Sequence, residues 1–384
     1  MPDLRLNETP VRTAKNFNCN NIIIKDLEMQ DGKADFNSVL IDIDNENIKT
    51  SEGISDIKLT YGLGNLLEEQ VRKNSNKKIK LNINGVSKKE SVIEFDFNQE
   101  NIALIDNIEI IAEEGSKANI FIKYSSSQDK SCNNTGCANI TCSKQSASKR
   151  DEANNNITEN NYYHNGIVRV YAKQNSDIKV TVINLLNEVS QNFLSIENEI
   201  DDNANLDFCI VDFGGKNSIT NYFSNLVGEA SNNALNSIYL GKGEQLFDLN
   251  YIGALRGKKS NMNIEVQGAL NGNSRKHFKG TLDFKRGAKK SKGNENEFCM
   301  LLSDTSKAIA LPMLLCEEED VEGNHSTAAG KLGNKELFYI MSRGFTKKEA
   351  MKLIVRAKFN KILDTITKED LKNEILREID NRLD

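Results

Sequence analysis

Ile167-Val168-Arg169-Val170-Tyr171-Ala172, then Asn175-Ser176-Asp177, then Ile178-Lys179-Val180-Thr181-Val182-Ile183 is the stretch on which the fold turns. Each six-residue run places apolar side chains at alternate positions, the mark of a half-buried strand. The cluster between them bends the chain, because Asn, Ser and Asp side chains bond to nearby backbone. The same unit recurs at 194–200, 206–211, 221–227, 236–240, 263–268, 278–284, 298–302 and 309–315. Turn signals divide these runs at Asp201-Asp202-Asn203, Gly214-Gly215, Ser231-Asn232-Asn233, Gly241, Gly272 and Gly287. No helical period interrupts the series. Regular strands at this spacing fit a sandwich, a barrel or a β-solenoid, and periodicity alone does not choose among them.

Outward from that series the chain changes character four times. Residues 78–124 carry earlier strands, with Ile79, Leu81 and Ile83 alternating, then Ile93, Phe95 and Phe97, then Ile108 and Ile110, then Ile120 and Ile122. Residues 1–77 are mixed, with a short strand at 38–43 and a helix at 65–72. Residues 125–161 are rich in Ser, Asn, Lys and Asp and read as an insertion between the first strands and the main strand region, 162–333. Residues 334–384 are helical. Asn334 is expected to cap a first helix that Gly344 ends. Thr346 and Glu349 form a capping-box pattern before a second. Thr367 is expected to cap a third, with Leu371, Ile375, Ile379 and Leu383 on one face.

The chain has 384 residues, 50 basic and 55 acidic, for a net charge of −5. That balance gives no electrostatic reason for a nucleic-acid or anionic-membrane partner. Met1 to Pro10 is polar and lacks a secretory pattern, so a cytoplasmic protein is expected. Seven cysteines in a reducing compartment are thiols, available for ligation or redox chemistry. Gly253 to Ser260 superficially suggests a phosphate loop, but only three residues separate its glycines and Lys259 stands before Ser260, so no nucleotide site is expected.

Several motifs resemble the SufB/SufD family of iron–sulfur cluster assembly proteins. His277-Phe278-Lys279-Gly280-Thr281-Leu282-Asp283-Phe284 followed by Gly287-Ala288 is similar to its Phe-x-Gly strand and Gly-Ala turn. Glu319-Asp320-Val321-Glu322-Gly323-Asn324-His325 resembles its acidic-Asp-Val stretch ending in His. Leu337-Phe338-Tyr339-Ile340-Met341-Ser342-Arg343-Gly344 resembles its Leu-Phe-Tyr-x-x-Ser-Arg-Gly helix. The resemblance implies a right-handed parallel β-helix (a solenoid) with a small mixed N-terminal region and a C-terminal helical tail. It implies a non-catalytic scaffold of the SUF system that pairs, as homodimer or heterodimer, with a SufB/SufD-type chain. It further implies docking of the ABC-type ATPase SufC, and supply from a cysteine desulfurase or other sulfur donor. No Cys stands in 304–308, where SufB-type chains carry one, and Gly323 stands where SufD-type chains often place Cys. Within that resemblance the chain looks SufD-like, or like an unspecialised SufBD protein.

The resemblance places His325 at a subunit interface, as a contact for iron or a transient iron–sulfur cluster. An imidazole suits such borderline cations. Cys316 and Glu322, in the acidic run 317–322, are helper candidates, although such a run usually forms a solvated turn. Leu337, Phe338, Tyr339, Met341, Arg343 and Gly344 are the candidate SufC-docking residues. Cys132, Cys137 and Cys142 have four residues between neighbours rather than the two of zinc knuckles, and leave a metallochaperone as an alternative. A β-solenoid carbohydrate-active protein is another. Cys209 and Cys299 read as small core residues.

Overall fold

The computed structural model describes residues 3–13, 19–32, 35–126 and 160–384. β1 (Leu4–Leu6) and β2 (Ile22–Ile24) pair antiparallel, followed by β3 (Val39–Asp42), β4 (Ile48–Ser51) and α1 (Asn65–Asn74). Sixteen longer strands follow: β5 (Lys77–Ile83), β6 (Ser91–Phe97), β7 (Ala103–Ala112), β8 (Lys117–Ser126), β9 (Tyr163–Ala172), β10 (Asp177–Leu185), β11 (Gln191–Ile200), β12 (Asn205–Asp212), β13 (Asn217–Leu226), β14 (Asn232–Gly241), β15 (Leu246–Leu255), β16 (Asn261–Leu270), β17 (Arg275–Phe284), β18 (Ser291–Leu301), β19 (Lys307–Cys316) and β20 (Val321–Lys331). The tail is α2 (Asn334–Met341), α3 (Lys347–Leu363) and α4 (Glu369–Leu383).

Odd-numbered strands from β5 to β19 stack in one nine-stranded sheet that begins with β4, and even-numbered strands from β6 to β20 stack in another that begins with β3. All neighbours are parallel except β3 on β6 and β4 on β5. Each coil therefore contributes one strand to each sheet. Asn205 pairs with Asn232 and Asn232 with Asn261, a period of about 28 residues. This is a parallel β-solenoid, as the resemblance implied.

One turn recurs in six successive coils. A residue in the left-handed region is followed by a small buried one: Gly115-Ser116, Asn175-Ser176, Asn203-Ala204, Ala230-Ser231, Lys259-Ser260 and Lys290-Ser291. The left-handed conformation aims the amide along the stacking axis. The Asn175 N–H donates to Asp202 O, that of Asn203 to Glu229 O, that of Ala230 to Lys258 O and that of Lys259 to Lys289 O. Coil is thus tied to coil at the corner as well as along the strands.

The helical tail lies on the outer face of the even-numbered sheet. Ile354, Phe359, Ile362, Ile375 and Ile379 bury against Phe121, Ile183, Val211, Ile238 and Leu240. Lys123 holds Glu374 at 2.7 Å, and Arg382 donates to Gln245 Oε1 at 3.2 Å. The Thr346–Glu349 capping box is formed. Two expected caps are not. α2 already begins at Asn334 with Gly333 as N-cap, and α4 is preceded by Lys368. Thr367 is drawn to the sheet instead, where its hydroxyl bonds Glu90 and Asn119. The N-terminal segment straps the odd-numbered sheet. Asn7 Nδ2 donates to Asp248 Oδ1 at 2.6 Å, and Lys279 Nζ to Asn7 O at 2.8 Å. Among the described residues no helix is long and apolar enough to cross a membrane.

Candidate functional site at the open end of the solenoid

The two ends of the solenoid differ. At the N-terminal end β3 and β4 turn antiparallel, and Phe36, Ile43 and Ile48 close the core. At the other end β19 and β20 are the last strands of their sheets, each paired on one side only. Inward-facing positions carry through by register. Ala308, Ala310, Pro312 and Leu314 continue Lys276, Phe278, Gly280 and Leu282. Gly323, His325, Thr327 and Ala329 continue Gly293, Glu295, Glu297 and Cys299. Yet Ala310, Leu314 and His325 are exposed, because no further coil covers the cross-section of the core. His325 therefore looks into the open mouth, with Glu295 one strand below it at about 4.8 Å, the spacing of neighbouring strands.

Below the mouth the interior is ionic. Lys276 and Glu297, both fully buried, form an ion pair at 2.7 Å. Tyr239 reaches across a whole coil to donate its hydroxyl to Glu297 at 2.9 Å. It can do so because Gly268 lies beneath the ring, where an added Cβ would stand 1.8 Å from Tyr239 Cζ. Glu295 is fully buried against the bare Cα of Gly280, and neither of its carboxylate oxygens has a hydrogen-bond partner. Burial, and then the Glu297 charge, push its carboxyl up to about 8. Cys299 shares this interior, and burial pushes its thiol up to about 11.

The family described as the SufBD core domain of SUF-system iron–sulfur cluster assembly matches residues 140–358, more than half of the chain. The chain belongs to the SufBD family. It is similar to the iron–sulfur cluster assembly protein SufD of Bacillus subtilis, 25% identical over 166 residues, 43% of this chain and 38% of that protein. It is also similar to an iron–sulfur cluster assembly SufBD family protein of Pyrococcus horikoshii, 29% identical over 196 residues, 50% of this chain and 43% of that one. The match to SufD of Escherichia coli is 26% identical over 106 residues, 28% of this chain and 25% of that protein. The chain thus spans less than half the length of these curated relatives. Membership supports a role in iron–sulfur cluster assembly.

In this SufBD chain the residues singled out from sequence do not all converge. His325 faces the lumen, whereas Glu322 lies at the opposite parity of β20 and pairs outside with Lys292 at 3.0 Å. Cys316 ends β19 in a groove of about 580 Å³ that takes in Phe284, the inward-facing Leu314 and Gly323, and Glu317, Glu318 and Glu319, but not His325. Its thiol donates to Glu318 O at 3.0 Å. The acidic run forms a solvated turn, with Glu317 held by Lys285 at 3.0 Å. Among the described residues no three His, Cys, Asp or Glu side chains come together to hold a metal. Cys132, Cys137 and Cys142 lie outside the described residues. Cys209 and Cys299 are buried, as expected of core positions.

The α2 motif sorts by face. Leu337 and Ile340 pack on the tail core. Phe338 is 73% exposed and Tyr339 60%, and Met341, Phe345 and Leu353 are exposed as well. Arg343 lies over the Tyr339 ring at 5.2 Å and donates to its hydroxyl at 3.2 Å. Sequence reading missed Lys276, Glu295 and Glu297. Their signal was charged residues alternating with Gly293 and Cys299, a pattern that normally marks a solvated strand face.

Proposed function

We propose that this chain is a non-catalytic scaffold subunit of cytoplasmic iron–sulfur cluster assembly. It pairs end to end with a SufB/SufD-type chain and docks the SufC ATPase. The observation that carries the pairing is the unfinished coil. A solenoid must cover its terminal core cross-section and its free strand edges, or it associates through them. The tail does not do so here, since it lies along a sheet face and leaves β19 and β20 bare. A second solenoid set against this edge would continue both sheets and bring its own side chains over His325. Iron, or a nascent cluster, is the cargo of that junction, with sulfur from a desulfurase or another donor.

The docking reading rests on α2. Its outer face holds Phe338 and Tyr339 in solvent with Arg343 stacked on the latter, the aromatic-plus-Arg composition of interface anchors. ATP-driven approach of two ATPase subunits, pulling on two such tails, would shear one solenoid end against the other and reshape the mouth between them. The test is anaerobic co-expression with the SufC-type ATPase and a SufB-type chain. Charged substitutions at the bare mouth, such as Leu314→Lys, should break the pairing of solenoids while ATPase binding survives. Arg343→Ala should do the reverse.

A further inference from the structure

We propose that one corner of the solenoid is a docking surface for an acidic segment of a partner protein. The inference is independent of the scaffold reading and of the mouth. The corner is the one built from the left-handed turns, whose amides bond from coil to coil. The carbonyls that accept those amides belong, in stacking order, to Asp202, Glu229, Lys258, Lys289 and Asp320. This row is acidic except at two neighbouring coils. There the turns 256–259 and 285–292 together carry eight basic residues, in a chain whose net charge is −5. Lys285 is half-buried and the other seven are exposed. Lys259 pairs with Glu229 at 2.8 Å, Lys285 with Asp283 and Glu317, and Lys292 with Glu322 at 3.0 Å. Among the described residues Arg256, Lys258, Arg286, Lys289 and Lys290 have no carboxylate within ion-pair distance. Such a local excess attracts negative charge.

The backbone adds a second observation. Lys259 and Lys290 hold left-handed φ angles of 57° and 61°. Gly115, Asn175 and Asn203 take that place in earlier coils, and these residue types tolerate it. Lys is a strained choice there, and strain of this kind collects at binding sites. The nature of the ligand is indicated by the chain's own acidic turn, which rests on the edge of this surface. Glu318 Oε2 accepts the Gly287 N–H at 3.0 Å, and Glu317 accepts Lys285 Nζ at 3.0 Å. The Arg286 and Lys289 charges act on the same two carboxylates. Arg256 and Lys258, one coil away, continue the surface beyond the reach of that turn. No aromatic residue stands in 256–260 or 285–292 to stack a nucleic-acid base, so a run of carboxylate side chains is the better fit.

The probe is a fluorescein-labelled octaglutamate peptide, titrated with the full-length chain and followed by fluorescence anisotropy. Saturable binding is expected, weakened by salt and weakened about tenfold or more by Lys258→Glu with Lys289→Glu. Lys49→Glu with Lys88→Glu, at exposed lysines near the other end of the solenoid, should leave it unchanged. Glu317→Gln with Glu318→Gln removes the competing carboxylates and should tighten binding several-fold. Lys259→Asn with Lys290→Asn should weaken binding about fivefold or more. Its urea midpoint should equal or exceed that of the wild type, because Asn accepts the left-handed backbone. No saturable binding, an equal effect of the two Lys→Glu pairs, or no tightening on removal of Glu317 and Glu318 charge overturns the docking surface. So does tighter binding of a single-stranded RNA octamer than of the peptide, which would make the corner a nucleic-acid site.

Discussion

Gly268→Ala tests the packing under the mouth. The added Cβ would stand 1.8 Å from Tyr239 Cζ and 2.2 Å from Cε2. The ring is fully buried, so it cannot swing into solvent. It must move within a packed core, at about 1–3 kcal/mol for overpacking. Movement also breaks the 2.9 Å hydrogen bond to Glu297, about 1.5–3 kcal/mol for a bond to a charged group. Together these give about 4 kcal/mol. Urea unfolding followed by far-ultraviolet circular dichroism measures it, and a double-mutant cycle isolates it. In a Tyr239→Ala background the ring is gone, and Gly268→Ala should cost less than about 1 kcal/mol. A cost below about 1 kcal/mol in the wild-type background, or the same cost in both backgrounds, would refute the reasoning.

Lys276→Met should destabilise by about 3–5 kcal/mol, because it strands the buried Glu297 carboxylate, and Lys276→Met with Glu297→Gln should recover most of that loss in the same assay. Burial pushes the Asp212 carboxyl up to about 6 against Ser218 and Asn184, which donate to it and oppose the shift. Its native value lies above the roughly 3.9 of an unfolded chain, so its stabilising contribution is full below about pH 4 and is lost as pH rises through about 6. Between pH 5 and 7.5 the wild type should lose about 1.4 kcal/mol that Asp212→Asn does not lose, measured as the difference in urea unfolding. Phe338→Ala should change stability by less than about 0.5 kcal/mol, since the ring is 73% exposed, yet weaken ATPase binding about tenfold or more by calorimetry.

The alternation of Ile79, Leu81 and Ile83, or of Ile178 and Val180, was legible because β5 and the first half of β10 bury one face by parity. The Thr346–Glu349 box was legible because both of its partners are local. The coil period was not. Its only shared signature is a left-handed residue before a small one, and that pair varies among Gly-Ser, Asn-Ser, Asn-Ala, Ala-Ser and Lys-Ser. Strand β18 begins at Ser291, but its apolar signal starts only near Phe298, because Gly293, Glu295 and Glu297 are the residues that face inward. Ile183, Val211 and Leu240 break parity because the tail covers the outer face there, a contact more than a hundred residues away in sequence. His325 was singled out by family resemblance, whereas its inward aim required the register of β18 on β20.

The most direct measurement is native mass spectrometry of the anaerobically purified chain co-expressed with the SufC-type ATPase and SufB-type chain of the same source. The scaffold reading predicts one complex holding two solenoid chains and ATPase, which falls apart at the solenoid junction in Leu314→Lys. A well-folded chain that stays alone beside a competent ATPase and SufB-type partner would contradict it.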